Sequence, residues 1–379
     1  MNWIALKILT GDRSKCLAIV FGVTFASLLM AHQVSIFCGV MERTTSPIRD
    51  VQDADVWVMD PRVRYVEEAP ALADGFLARV RGVDGVAWAM PYYLGMVQAR
   101  LPGGAARQLA LLGVDDATLT GSPQQMVLGD VAGLRRPDGI LLDESGYHYL
   151  WPGEPLRLGR TLEISERRAI VVGICKTATR FQTVPTAYCR FSLARRFAPP
   201  ARNHMSFILV KVRSGGDVAQ VCRAVSERTG LQALSKAEFR WLAIRYYLET
   251  TAIPMNFAIT VTLGFIVGIA VSGQTFYLFT IENLRQFGAL KAMGVSNLRL
   301  VGMILLQALV VGALGYGLGM GLTALFFEFT QNMTHLRGLF LPWEVMVGTA
   351  GAVLVIVVVA SLVSIRRVLV LEPAIVFRG

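Results

Sequence analysis

Asp143, Glu144, Ser145 and His148 place two carboxylates, a hydroxyl and an imidazole within one short run, where acid/base or nucleophilic chemistry could be assembled locally. No second constellation completes that cluster, and an Asp leading into a helical stretch reads better as an N-terminal cap. The four histidines, His32, His148, His204 and His335, are widely separated, and neither H-E-x-x-H nor paired C-x-x-C occurs, so a metal centre is poorly supplied. The chain has no G-x-x-x-x-G-K-[ST] sequence and therefore no phosphate-cradling loop of its own. No catalytic, cofactor-binding or metal residue is assigned, and the chain is read as non-enzymatic. Of the five cysteines, Cys16 and Cys38 lie at or in an apolar stretch, while Cys175, Cys189 and Cys222 fall in a polar region. A Cys175–Cys189 bridge and buried free thiols are both open.

The elements that would position any function are mostly apolar. A chain of 379 residues that is 54% hydrophobic and 17% charged is too greasy for an ordinary soluble protein. Four segments, 16–40, 254–281, 301–327 and 343–364, are long and apolar enough to span a bilayer. The first exceeds a signal-peptide core and has no convincing cleavage site, so it is read as an uncleaved anchor. Lys7, Arg13 and Lys15 precede it; Arg285, Lys291 and Arg299 lie in segment 282–300; Arg366, Arg367 and Arg378 lie in the tail, 365–379. Only Arg337 falls in the short loop 328–342. The positive-inside rule then puts both termini and segment 282–300 in the cytoplasm, and the polar region 41–253 and loop 328–342 outside. This distribution explains the net charge of +10 by anionic lipid or an acidic partner better than by nucleic acid. In segment 1–15, Trp3, Leu6 and Leu9 share one helical side with Lys7 off it, which suits a short helix on the inner membrane surface.

Region 41–253 alternates strand and helix patterns. Val56–Met59 and Val86–Met90 read as strands with a helix over 71–80 between them. Gly139–Leu142 reads as a strand followed by a turn or short helix through 144–150, and 156–158, 161–164 and 169–175 read as a meander. Strand 207–212, helix 218–228 and strand 231–234 form a β-α-β pattern before a connecting helix at 236–249. Two α/β pieces flank a β-rich middle, as in a split domain carrying an inserted lobe. The fold class expected is an α-helical integral membrane protein with four transmembrane helices and a large α+β extracytoplasmic domain between the first two.

The most informative stretch follows the second span. In Ile281-Glu282-Asn283-Leu284-Arg285-Gln286-Phe287-Gly288-Ala289-Leu290-Lys291-Ala292-Met293-Gly294-Val295-Ser296, residues Arg285, Gly288, Leu290, Lys291, Ala292, Met293, Gly294 and Ser296 match R-E-I-G-x-L-[RK]-A-[LM]-G-[AV]-S. The sequence resembles the FtsX/MacB-like (type VII) ABC transporter permeases. Gln286 stands where that family usually has Glu, and Gln307 likewise replaces a frequent Glu. Leu371-Glu372-Pro373-Ala374-Ile375 is similar to the family's closing L-x-P-A. The Asp55–Asp60 run, with no fused ATPase, looks most like the DevC-type branch. The resemblance implies a homodimeric permease in the bacterial inner membrane, bound to separate ABC ATPase subunits that hold the ATP and Mg, with no cofactor on this chain. It implies mechanotransmission to the periplasmic domain, a periplasmic adaptor and outer-membrane duct, and export of a lipid-like or amphiphilic substrate. The alternative is an FtsX-like signalling lever that switches an external cell-wall enzyme.

Two sets of residues carry these expectations. For ATPase coupling they are Glu282, Leu284, Arg285, Phe287, Gly288, Leu290, Lys291, Met293 and Gly294, on a helix running to about Met293 with Gly294 at C′ and Ser296 opening the next helix. Leu284, Phe287 and Leu290 share one side, expected to dock into the ATPase, with Arg285 and Lys291 at the rim. For helix packing or the dimer interface they are Ser27, Ala31, Ser35 and Gly39 in the first span and Gly264 and Gly268 in the second. Gly315, Gly317, Gly319 and Gly321 in the third are similarly spaced. His32, Gln33 and Gln274, polar at membrane depth, are expected to face protein.

Overall fold

Runs of apolar residues without helix-breaking pairs become long helices in this computed structural model, which describes residues 2–370 except 183, 200–203, 331–332, 334–335 and 337–338. His335, Arg337, the 371–375 sequence and Arg378 lie outside the described residues. The chain divides into two units, Met1–Gly39 with Ala252–Gly379, and Val40–Thr251.

The first unit is helical: α1 (Asn2–Gly11), α2 (Arg13–Thr44, running on into the second unit), α9 (Ile253–Glu282), α10 (Leu284–Ala292), α11 (Asn297–Thr330) and α12 (Trp343–Leu369). Four of these, α2, α9, α11 and α12, are long and apolar enough to cross a membrane. They outrun the sequence expectations at several ends. The first begins at Arg13 rather than 16, because Asp12 caps it: its Oδ1 accepts from the Lys15 backbone N–H at 3.3 Å. The third begins at Asn297 rather than 301, and α12 continues past 364 into the tail.

Small residues decide how closely these helices approach. A Cβ placed on Gly268 would stand 2.6 Å from that of Ala26, and one on Gly264 3.5 Å from the Leu29 Cβ. On α11, a Cβ on Gly315 would meet Val23 at 2.6 Å and one on Gly319 would meet Ser27 at 2.7 Å. Helix α2 therefore lies in backbone-close contact with α9 on one side and α11 on another. Ser27, Ala31 and Ser35 are fully buried, and Gly39 faces Leu339. The Ser27–Gly39 ridge, expected at helix packing or the dimer interface, is thus covered by the chain's own segments. Gly317 and Gly321 have open space around them and face outward. Buried threonines return their hydroxyls to their own helices, Thr24 to the Val20 carbonyl at 2.8 Å and Thr323 to that of Gly319 at 2.9 Å. That satisfies them where water is absent. His32 packs edge-on to Phe326 with ring centroids 4.6 Å apart, while Gln274 lies on the exposed side of α9, against the expectation that it faces protein.

The second unit is an α/β domain. Its elements are α3 (Ser46–Asp50), β1 (Val56–Met59), α4 (Gly75–Arg81), β2 (Val86–Arg100), β3 (Ala106–Val114), β4 (Gln125–Gly129), a 3-10 turn (Val131–Arg135), β5 (Gly139–Asp143), α5 (Glu144–Leu150), β6 (Thr161–Ile164), β7 (Arg167–Lys176), β8 (Thr186–Arg190), α6 (Phe191–Phe197), β9 (Phe207–Val212), α7 (Val218–Thr229), β10 (Gln232–Ser235) and α8 (Lys236–Thr250). The strand order is β10-β1-β9-β2-β3-β8-β5-β7-β4, with β6 joining β2 and β7. Strands β10, β1, β9 and the first half of β2 carry α4 and α7 over a core that includes Val58, Val80, Val210 and Val225. The remaining strands and α5 and α6 enclose a second core around Tyr147, Ile174 and Phe197. The split domain with an inserted lobe is therefore present, and the long β2 belongs to both lobes. Residues 156–158, expected as part of a meander, form no strand, and the helix expected at 71–80 occupies 75–81.

Asp143 is the N-cap of α5: its Oδ2 accepts from the Gly146 N–H at 2.8 Å and its Oδ1 from the Thr186 N–H at 2.5 Å. His148 points to solvent on the far side of the same turn, so the local acid–hydroxyl–imidazole cluster never converges. None of the five cysteines forms a disulfide, so Cys175 and Cys189 are not bridged. Glu42 pairs with Arg49 at 2.8 Å and with Arg240 at 3.1 Å, tying the chain's entry into this domain to the helix by which it leaves.

Burial gives Asp50 in this domain a readable pH signature. Asp50 accepts a hydrogen bond from the Ala178 N–H at 3.1 Å, yet desolvation raises its carboxyl from 3.8 to about 6. A carboxyl raised on folding holds its proton longer in the native state, so its contribution falls as pH rises from about 4 to about 6 and stays flat above. Asp50→Asn, whose carbonyl can still accept from Ala178, is expected to match the parent near pH 4. At pH 7 it should be more stable by on the order of 2 kcal/mol, as read by thermal unfolding across that range. Equal stability of the two proteins at both pH values would refute this.

Candidate coupling site

The segment between α9 and α11 is built by a sharp joint at each end. Asn283 sits at the first, its Nδ2 donating to the Phe279 carbonyl at 2.7 Å, so that the side chain closes the last turn of α9 before the axis changes. At the second, Met293 is the C-cap of α10 and Gly294 follows with φ +87°, a conformation glycine adopts without penalty. The Gly294 N–H donates to the Lys291 carbonyl and the Val295 N–H to that of Leu290, both at 3.1 Å. This is the two-bond Schellman closure expected from a glycine at C′. The Ser296 carbonyl then takes the first bonds of α11, from the Arg299 and Leu300 N–H groups at 3.0 and 3.2 Å.

The orientation of α10 differs from the sequence expectation. Phe287 is fully buried and Leu290 is 8% exposed, with Leu284 packed beside them in one core with Phe279, Leu300, Ile365 and Val368. Gly288 is buried as well. The apolar side that was expected to dock into a partner is consumed by the ends of α9, α11 and α12. Lys291 likewise turns inward, its Nζ donating to the Leu369 carbonyl at 3.0 Å near the end of α12, where a cation is favoured. What faces outward is the tip: Met293 is 73% and Leu298 82% exposed, flanked by exposed Arg285, Gln286 and Arg299. Leu298 carried no signal in the family motif. A single leucine between Asn297 and Arg299, ahead of the span expected from 301, gives no sign of its exposure.

Two further contacts brace this end of the bundle. Lys15 forms ion pairs with Asp12, at 2.7 Å, and with Glu282. The Lys15 and Ser14 hydrogen bonds hold the Asp12 carboxyl down at about 2. Helix α1 is bound to α11: the Gln307 Nε2, fully buried, donates to the Ala5 carbonyl at 2.7 Å. Its packed side is Ala5, Ile8 and Leu9, and Trp3, expected toward the membrane surface, is 70% exposed. Among the described residues no group of His, Cys, Asp and Glu could hold a metal ion.

The segment and the domain both have counterparts. Residues 255–373 match the FtsX-like permease C-terminal family, and residues 16–228, more than half the chain, match the MacB-like periplasmic core domain. This chain belongs to the FtsX/MacB-like permease family. The permease is 26% identical over 224 residues to an uncharacterized ABC transporter permease of Mycobacterium tuberculosis, a match covering 59% of this chain and 58% of that one. It is 20% identical over 242 residues to a permease of the archaeon Methanocaldococcus jannaschii, covering 61% and 60% of the two chains. The permease thus spans less than two thirds of the length of these curated relatives. The periplasmic region of MacB from Actinobacillus actinomycetemcomitans overlays 54% of the permease and 96% of that chain, at 14% identity and a TM-score of 0.36. The permease is therefore a membrane protein with four apolar helices and a MacB-like extracytoplasmic domain.

Proposed function

We propose that this permease is the non-catalytic membrane subunit of an ABC exporter, in which a separate ATPase subunit binds the tip around Met293 and Leu298. The observation that carries this reading is that α10 presents an apolar tip outward while its inner side shares a core with α9, α11 and α12. A rigid helix held that way delivers a push at its tip to three membrane helices at once, as packed interiors do. Exposed Met293 and Leu298, on one short segment with exposed Arg285 and Arg299, suit an apolar pocket with an acidic rim, in which the arginines set orientation and on-rate more than affinity. The basic residues Lys7, Arg13, Lys15, Arg285, Lys291, Arg299 and Arg366 support placing this end in the cytoplasm. ATP and Mg would then belong to the ATPase, and motion would pass along α2 and through α8 and α9 to the extracytoplasmic domain. A second copy of the permease, a periplasmic adaptor, an outer-membrane duct and an amphiphilic cargo complete the proposed machine.

The double variant Met293→Asp/Leu298→Asp is expected to insert and fold normally, since both side chains are exposed. It should lose at least tenfold in capture of the ATPase, and transport with it, when tagged permease is purified from its native membrane. Full capture and full transport by that variant would remove the docking assignment.

A further inference from the structure

Between α1 and the α9–α10 joint lies a groove of about 430 Å³ lined by Trp3, Ile4, Lys7, Ile8, Asp12 and Gln286, among others. Its chemistry is two-sided. Trp3 and Ile4 give an exposed apolar wall, and the Lys7 ammonium stands over the indole ring, 4.8 Å from its centroid. An ammonium held over a ring face keeps donors free for an anion. The acids nearby are already spoken for: Lys15 engages both Asp12 and Glu282. Lys7, Arg13 and Arg285 have no carboxylate partner among the described residues, so the groove's surroundings keep a surplus of positive charge. One residue beyond Asp12, Arg13 heads a stripe at helical spacing, Leu17 at 67%, Phe21 at 71% and Phe25 at 43% exposed, which runs down the outside of α2. A cation above an uncovered apolar stripe is what an anionic amphiphile needs, and a soluble phosphate would leave the stripe bare.

We infer that this groove binds the phosphate of an anionic glycerophospholipid headgroup, with Lys7 and Arg13 as the cationic contacts, Gln286 as a further donor, and an acyl chain along Leu17, Phe21 and Phe25. The inference rests on the proposed orientation that puts α1 at the inner membrane surface. Trp3 at such a boundary is in the place where indoles are favoured. The site is separate from the Met293–Leu298 tip, so lipid and ATPase would be held by different residues of the same end of the bundle.

The full-length permease in lipid nanodiscs tests it. Native mass spectrometry after release into mild detergent should show phosphatidylglycerol retained over phosphatidylcholine. Lys7→Gln/Arg13→Gln, which changes two exposed side chains, should lower that preference at least fivefold. Glycerol 3-phosphate at matched concentration should not displace the lipid. Unchanged preference in the double variant overturns the site, displacement by glycerol 3-phosphate reassigns it to soluble phosphate esters, and expulsion of lipid by added ATPase reassigns it to that protein. Brominated acyl chains separate this from failure of the orientation. Trp3 fluorescence, taken as the difference from Trp3→Phe, should be quenched more by brominated phosphatidylglycerol than by brominated phosphatidylcholine. Equal quenching by both leaves the orientation standing and overturns the headgroup site, whereas no quenching by either overturns the orientation as well.

Discussion

Phe287→Ala is expected to unfold the α10 end of the helical bundle rather than merely to detach a partner. The ring is fully buried in a core with Phe279, Leu290, Leu300, Ile365 and Val368, so truncation leaves a cavity bounded by three other helices. Losses for buried Phe→Ala run at about 3–5 kcal/mol, and rigid surroundings put a site toward the upper end. That is a large fraction of the stability of most folded domains. Unfolding of purified permease should show a lower midpoint for Phe287→Ala, together with a drop in the amount recovered from the membrane. Leu298→Ala, which removes a side chain 82% exposed, should leave the midpoint unchanged while reducing ATPase capture. The reverse pattern, a stable Phe287→Ala with weak capture, would mean that α10 presents its motif side to the partner after all.

Gly319→Leu should be the more damaging change. A Cβ at this position already meets the Ser27 Cβ at 2.7 Å and the Thr24 carbonyl oxygen at 2.8 Å, and the latter is backbone that cannot rotate away. Helix α11 would have to move off α2, forfeiting the packing that holds helices together where no water drives association. The expected loss is at least about 3 kcal/mol, the upper range for overpacked cores, and no protease-resistant permease should accumulate. Gly317→Leu, two residues away with nothing within 4 Å of its would-be Cβ, should accumulate at the parent level. Similar yields from the two variants would show that α2 and α11 are not in contact as described.

Much of this was legible beforehand because the relevant signals are local. A span is a matter of length and hydropathy, and the four helices fell where their apolar runs lie. The Met293-Gly294 ending of α10 was legible for the same reason, since a left-handed C′ residue is a property of the glycine itself. In the extracytoplasmic domain the strands at 56–59, 139–143 and 207–212 announced themselves by continuous apolar runs. Strands β3 and β8 did not. Strand β3 folds back on β2 as a hairpin and pairs in parallel with β8, which also pairs antiparallel with β5, so β8 in particular is held by partners across a long sequence separation. Propensity within one segment carries no information about such a partner.

The sequence by itself determined that the protein lives in a membrane, where its four long apolar helices start and stop to within about five residues, and to which family it belongs, because hydropathy, caps and the 281–296 motif are each read along one stretch of chain. Tertiary structure alone decided what each helix face touches. The Ser27–Gly39 ridge could have served helix packing or a dimer interface and the Leu284–Phe287–Leu290 side looked ready for an ATPase, and both are covered by the chain's own segments. Leu298, which carried no signal in the sequence, is left outside, as are Met293 and Trp3. Helical periodicity tells which residues share a side. It cannot tell which side is inward, because in a bundle whose surroundings are themselves apolar the choice is made by where small residues such as Gly315 and Gly319 allow backbones to close, and that depends on the facing helix.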